Sequence, residues 1–167
     1  MPKLSVMSYY CFVHLLIVIT IIKLSSCFPS GAPADACENL TPRHTGTTPI
    51  TENSPYTLKA ITGNFEYSSS TDQGIKVRID GPPFRGFFVI AVDAKTGERV
   101  GKWAQLKGTN TIDACSGITH GDNKRKKSAT LLWIPPEKGS GGISFIATVV
   151  KSFSEYYTPI TSEADKK

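Results

Sequence analysis

The sequence has few histidines, and it lacks the residue patterns from which common enzyme sites are built. Of its three histidines, only His44 and His120 lie beyond residue 27, and two are too few for a three-histidine metal site. Neither occurs in an H-x-x-x-H spacing, and no G-x-S-x-G nucleophile motif is present. The glycines of Gly139–Gly142 lack the following Lys-Ser/Thr of a phosphate-binding loop and indicate a hairpin turn. We therefore predict a protein that is not an enzyme and has no catalytic residues, cofactor or metal.

Long hydrophobic runs are also missing, apart from one at the N-terminus. Residues 11–22 form an apolar run of twelve, shorter than the roughly 20 residues that a membrane-spanning helix needs. Lys3 precedes the run, and Ser25 and Cys27 follow at the spacing that a signal peptidase recognises. This pattern predicts a signal peptide over residues 1–27 and one secreted domain over residues 28–167. The alternative is an uncleaved membrane anchor.

Cysteines are few, and cleavage would reduce them further. Of the four, Cys11 and Cys27 belong to the predicted signal peptide, which leaves Cys37 and Cys115. In an oxidising compartment these two have one intramolecular pairing available, and a bridge closing so long a loop would stabilise by about 4–5 kcal/mol. It would staple a Pro- and Gly-rich arm, residues 28–54, across the body. Two free buried thiols are the alternative, and cleavage before Cys27 would leave that thiol unpaired.

No stretch of the remaining chain has the periodicity of an amphipathic helix. Instead, short runs with strand periodicity alternate with turn signals, typical of a β-sandwich or, alternatively, a barrel. Seven or eight strands are predicted, and Trp133 and Phe145 are assigned to the core. The strands are residues 56–61, 74–80, 87–92, 98–106, 118–120, 128–134, 143–151 and 153–157.

The net charge of +5 is too small for a dedicated nucleic-acid-binding protein. Loss of Lys3 and Lys23 with the signal peptide would lower it to 17 minus 14, or +3. Four consecutive cations, Lys124, Arg125, Lys126 and Lys127, occur in a predicted turn and must be solvated. They are either a solubilising loop or a contact for anionic polymers such as lipopolysaccharide and teichoic acid.

Asn39 begins a glycosylation sequon, Asn39-Leu-Thr41, on the predicted arm. An exposed sequon in a secreted protein is a candidate for N-linked glycosylation, although many sequons remain unmodified.

Several motifs, taken in order along the chain, resemble those of the reeler domain. The resemblance covers nearly all of the chain beyond residue 27, and an ordered set of motifs is a specific signal. A single reeler domain behind a signal peptide is similar to the secreted defence proteins of insects. The matching residues are 31–37, 41–44, 84–87, 115, 119–120, 133–136 and 145–150.

The resemblance implies an immunoglobulin-like antiparallel sandwich in which Cys37 pairs with Cys115. It also implies a secreted haemolymph protein of innate immunity that binds microbial surface polymers, including β-glucan, and promotes haemocyte aggregation. No catalytic or ligand-binding residues carry over from it. We expect a monomer without stable membrane insertion. The sequence leaves open whether the protein kills microbes directly. The alternative is an extracellular adhesion or matrix module whose partner is a protein or a glycosaminoglycan.

Overall fold

The computed structural model describes residues 28–61, 65–68 and 74–162, and they form two packed antiparallel sheets. The predicted signal peptide, residues 1–27, lies outside the described residues. The prediction of an all-β sandwich is confirmed. Two short 3-10 helices, Ala34–Cys37 and Asp113–Cys115, accompany the strands. The strands are β1 (Thr57–Ala60), β2 (Glu66–Ser68), β3 (Ile75–Asp80), β4 (Gly86–Asp93), β5 (Lys102–Trp103), β6 (Thr109–Ile112), β7 (Gly117–His120), β8 (Ala129–Ile134), β9 (Ser140–Ser152) and β10 (Glu155–Thr161).

The smaller sheet has the order β1-β3-β8-β5 and turns one face to water. β3 alternates as its sequence predicts, because successive side chains point to opposite faces of a strand. Ile75, Val77 and Ile79 are buried, and the three polar residues that follow them point outward. This sheet therefore contributes only its inner face to the core.

The larger sheet has the order β10-β9-β4-β7-β6, and β2 pairs with the N-terminal end of β9. Its central strand β4 is buried on both faces. Phe87, Val89 and Ala91 point into the core between the sheets. Phe88 and Ile90 point the other way and are covered by the N-terminal arm. A strand covered on both faces needs a continuous apolar sequence, as β4 has.

The core between the sheets is centred on aromatic side chains. Trp133 and Phe145 are fully buried, as predicted, and their ring centroids lie 5.9 Å apart in an edge-to-face arrangement. Trp133 Nε1 donates a hydrogen bond to the carbonyl oxygen of Val100, at 3.0 Å. That bond satisfies a polar group that would otherwise be costly to bury.

Some strand bounds differ from the sequence-based ones. Within residues 98–106 only Lys102–Trp103 form a strand, because the chain crosses there from β4, in the middle of the larger sheet, to the edge of the smaller sheet. The last strand does not stop at Pro159 but continues to Thr161. Pro159 cannot donate to a sheet, and β10 accommodates it at the edge with a shift in register. β2 and β6 were not predicted.

Candidate functional site

The N-terminal arm lies across the outer face of the larger sheet. Its disulfide joins Cys37 to Cys115 with their Cα atoms 5.8 Å apart, which confirms the predicted staple. The Ala32 amide donates to Thr119 Oγ1 at 2.9 Å, and the Thr148 hydroxyl donates to the Leu40 carbonyl. A second apolar cluster forms beneath the arm, separate from the core between the sheets. Ala36, Phe88, Ile90, Val92 and Cys115 are its buried members.

A cavity of about 330 Å³ remains where the arm does not fill this face. Its floor includes Phe88 of β4 and Val150 of β9, whose side chains point away from the central core. The arm supplies a second wall, which includes Ala36, Leu40 and Pro42. Pockets for small molecules are typically apolar spaces of about 300–1,000 Å³ with a few polar groups at their edges. This cavity has that character at the small end of the range.

His120 lines the cavity and connects two segments of the chain. Its Nδ1 lies 3.2 Å from the amide nitrogen of Phe87, which donates to it. Its ring also hydrogen bonds to the backbone of Phe28, and burial lowers the pKa of the imidazole below its ordinary value. The ring lies against Gly86, where a β-carbon would come within 2.8 Å of it. These contacts give His120 a structural role at the junction of the arm and the larger sheet.

The cavity lining also includes His44 and Phe153, whose rings stack with centroids 4.5 Å apart. The Nδ1 atom of His44 is buried and has no hydrogen-bond partner among the described residues. Arg43 and Arg85 also line the cavity and are exposed to solvent. Arg43 lies 3.5 Å from Asp35 in an exposed ion pair, and such pairs contribute little to stability. The rim is therefore cationic.

The cationic run lies in the β7–β8 loop, beside the cavity, but its four members are not equivalent. Lys124, Arg125 and Lys127 are exposed. The Lys126 side chain is only 16% exposed, and its ammonium group donates inward to oxygens of the protein. The acceptors are the carbonyls of Arg85, Asp122 and Lys124 and the carboxylate of Asp122, at 2.8–3.0 Å.

Lys126 thus organises the loop from within. Its hydrogen bond is the main reason that the pKa of the Asp122 carboxyl lies below its ordinary value. Its backbone also pairs with that of Phe84 through two hydrogen bonds, of 2.7 and 3.0 Å. Next in the chain, Arg85 donates to the carbonyl of Asn123 at 3.3 Å, and both residues line the cavity. The loop is therefore fixed beside the cavity, and its other three cations are exposed to solvent.

The sequon lies on the arm at the same cavity. Asn39 is exposed, and its Oδ1 accepts hydrogen bonds from the Thr41 amide at 3.0 Å and the Thr41 hydroxyl at 2.7 Å. Leu40 and Thr41 line the cavity. Glycosylation of Asn39 stays a prediction, and a glycan there would project from the arm near the cavity rim.

Across residues 28–61, 65–68 and 74–162, no three side chains of histidine, cysteine, aspartate or glutamate are grouped so as to hold a metal ion. Within those same ranges, no helix has the length and hydropathy required to cross a bilayer.

The cavity was not anticipated from the sequence. The available signal is the run Phe87–Val92, which is apolar on both faces, but the sequence analysis predicts from it only a strand. A second buried face needs a cover, and the small apolar residues of the arm, such as Ala32 and Ala36, supply it. Sequence reasoning found the staple but not the partly filled space beneath it.

Comparisons with known proteins agree with this architecture. "Putative defense protein 3" of Antheraea mylitta is 26% identical over 156 residues, covering 90% of this chain and 93% of that protein. "Defense protein l(2)34Fc" of Drosophila melanogaster is 32% identical over 148 residues, covering 83% and 88%. The crystal structure of a human F-spondin reeler domain fragment superimposes with a TM-score of 0.56 at 20% identity, covering 78% of this chain and 99% of that one. The model of the reeler domain family matches residues 35–166. Because this match covers most of the sequence and the fold agrees with it, this chain belongs to the reeler domain family.

Proposed function

We propose that this protein is a secreted, non-enzymatic defence protein that binds microbial surface polymers. The polymers that it binds would be lipopolysaccharide, teichoic acid and β-glucan. Binding would promote haemocyte aggregation against bacteria and fungi. Relatives of similar length from two insects carry the name of defence proteins, which supports a defence role. The predicted signal peptide supports secretion into the haemolymph.

The observation that carries the binding proposal is the anchored cationic loop. Lys124, Arg125 and Lys127 are exposed, while Lys126 holds the loop by its internal hydrogen bonds. A loop that is already ordered loses little conformational entropy when it binds a phosphorylated polymer. Attraction between exposed charges is screened by salt, with a Debye length of about 8 Å at physiological ionic strength. Binding of lipopolysaccharide and teichoic acid should therefore weaken as salt is raised.

The test is a pull-down of the protein on bacteria, lipopolysaccharide, teichoic acid and β-glucan at low and high salt. A triple variant, Lys124→Ser, Arg125→Ser and Lys127→Ser, removes the exposed cations and keeps Lys126. We expect its binding to the two anionic polymers to fall about tenfold or more, because three exposed charges are lost. Binding to uncharged β-glucan should not change.

A matched control removes three exposed cations elsewhere, by Lys95→Ser, Lys102→Ser and Lys107→Ser. This control should bind as the unmodified protein does. Equal weakening in both triple variants would show a general charge effect and would remove the loop from the proposal. No binding to any microbial polymer would refute the proposed function.

The second candidate is an extracellular adhesion or matrix module that binds a protein or a glycosaminoglycan. The same loop favours it, because sulfated glycans are polyanions too. Retention on heparin without binding to microbes would favour this alternative.

A further inference from the structure

We propose that the cavity beneath the arm binds one acyl chain of a phosphorylated lipid, with the phosphate at the arginine-bearing rim. The proposal does not depend on polymer binding by the loop, because the acyl chain would contact a different set of residues. The cavity residues that carry it are Leu40, Phe88 and Val150 inside and Arg43 and Arg85 at the rim.

The size and chemistry of the cavity fit a single hydrocarbon chain. An apolar cavity of about 150 Å³ accepts benzene, so about 330 Å³ has room for roughly a dozen carbon atoms. The walls are formed mainly by aliphatic and aromatic side chains, among them Phe28, Ala36 and Val150. A sugar needs hydrogen-bond partners for its hydroxyls, and the exposed surface of these walls is mostly apolar. A polysaccharide therefore fits the interior poorly.

The charge of the lining selects the head group. Arg43 and Arg85 line the cavity, and no aspartate or glutamate does so among the described residues. Arginine binds phosphate well because its planar guanidinium donates two parallel hydrogen bonds. The nearest carboxylate partner is Asp35, at 3.5 Å from Arg43, in a pair whose side chains are both more than half exposed. A phosphate monoester can compete with so exposed a partner.

His44 adds a polar group that no described residue satisfies. Its Nδ1 is buried without a hydrogen-bond partner among the described residues, and the residue lines the same cavity. Buried polar atoms in proteins nearly always have a partner. A lipid head group or glycerol hydroxyl at the rim would supply one.

The arm limits the occupant to a narrow chain. It is fixed by the disulfide at Cys37 and by hydrogen bonds from Ala32 and to Leu40. A protein segment or a folded partner would require the arm to lift away from the sheet and break these contacts. A flexible acyl chain can enter without this.

The test measures binding of three matched probes to the protein expressed from its full sequence in insect cells. The probes are lysophosphatidic acid, monoacylglycerol with the same chain, and glycerol phosphate, all below their micelle concentrations. Each methylene buried should tighten Kd by about fourfold, so dodecanoyl lysophosphatidic acid should bind about fifteenfold more tightly than the decanoyl form. Tetradecanoyl should add little, because the cavity is then full.

The head group should also matter. Lysophosphatidic acid should bind about tenfold more tightly than the matched monoacylglycerol, because a charge-assisted hydrogen bond replaces a neutral one. Glycerol phosphate alone should not bind measurably. Affinity that is independent of chain length, or equal for the charged and neutral lipids, would overturn the proposal.

Two pairs of variants place the site. Val150→Phe fills the cavity and should weaken binding of the dodecanoyl lipid about tenfold, whereas Leu132→Phe, on the outer face of the other sheet, should not. Arg43→Gln with Arg85→Gln should reduce the affinity for lysophosphatidic acid to that for monoacylglycerol, whereas Arg78→Gln should leave it unchanged. Normal lipid binding by Val150→Phe would refute the site. Polymer binding by the loop would be unaffected by Val150→Phe, so the two proposals can fail separately.

Discussion

Replacement of Lys126 by methionine tests whether one member of the basic run is structural. Its ammonium group has three N–H donors and lies 2.8–3.0 Å from four oxygens. A hydrogen bond to a charged group contributes about 1.5–3 kcal/mol net. Water can reach several of these oxygens at the loop surface, so the contributions do not add fully. We expect Lys126→Met to lower the free energy of unfolding by about 2 kcal/mol, since methionine keeps the aliphatic stem but donates no hydrogen bond.

The matched control is Lys127→Met, which makes the same change at an exposed neighbour. Surface substitutions of this kind usually stay within about 0.5 kcal/mol. Urea unfolding followed by tryptophan fluorescence suits both variants, because Trp103 and Trp133 are buried in the core. If the two variants differ by less than about 0.5 kcal/mol, Lys126 does not anchor the loop and the reasoning is wrong.

Two further predictions concern the arm and His120. Changing both Cys37 and Cys115 to alanine removes a bridge between residues with a sequence separation of 78. The chain-entropy model predicts that the free energy of unfolding, measured in urea, falls by about 4.5 kcal/mol. A fall of less than about 1 kcal/mol would mean that packing alone holds the arm. Burial lowers the pKa of His120, so the unfolded chain takes up the proton first as the pH falls. Its stabilising contribution is complete above the unfolded pKa of about 6.5 and is lost as the pH falls from there toward the folded pKa. The free energy of unfolding, measured from about pH 7 to about pH 5, should fall less steeply in His120→Gln, and an unchanged slope would contradict this.

The parts of the fold that sequence reasoning predicted are those in which local pattern and burial agree. β3 alternates, and its apolar face lies in the core. β6 could not be found in this way, because Thr109–Ile112 has little apolar pattern and forms a strand by pairing with β7 at the sheet edge. Likewise β5 is only Lys102–Trp103, because its length is set by where the chain crosses between sheets.

The candidate site was predicted only in part, for a related reason. The cations of the β7–β8 loop are contiguous in sequence, so the pattern identified them together. The different role of Lys126 depends on the carbonyl of Arg85, which is 41 positions away in the chain. No local pattern carries that information. The cavity depends on where the arm lies over Phe88 and Val150. The disulfide is the only contact between the arm and the sheets that the sequence predicted.

The separation of the two apolar clusters has a consequence for how this domain can change over time. The cluster beneath the arm shares no residue with the core between the sheets. Substitutions at Ala36 or Leu40 therefore reshape the cavity without touching the packing around Trp133. On the proposal that this cavity binds a lipid, its ligand preference could change while the fold is kept. In this architecture the N-terminal arm, which has the least regular structure, is the segment that can change most without loss of the fold.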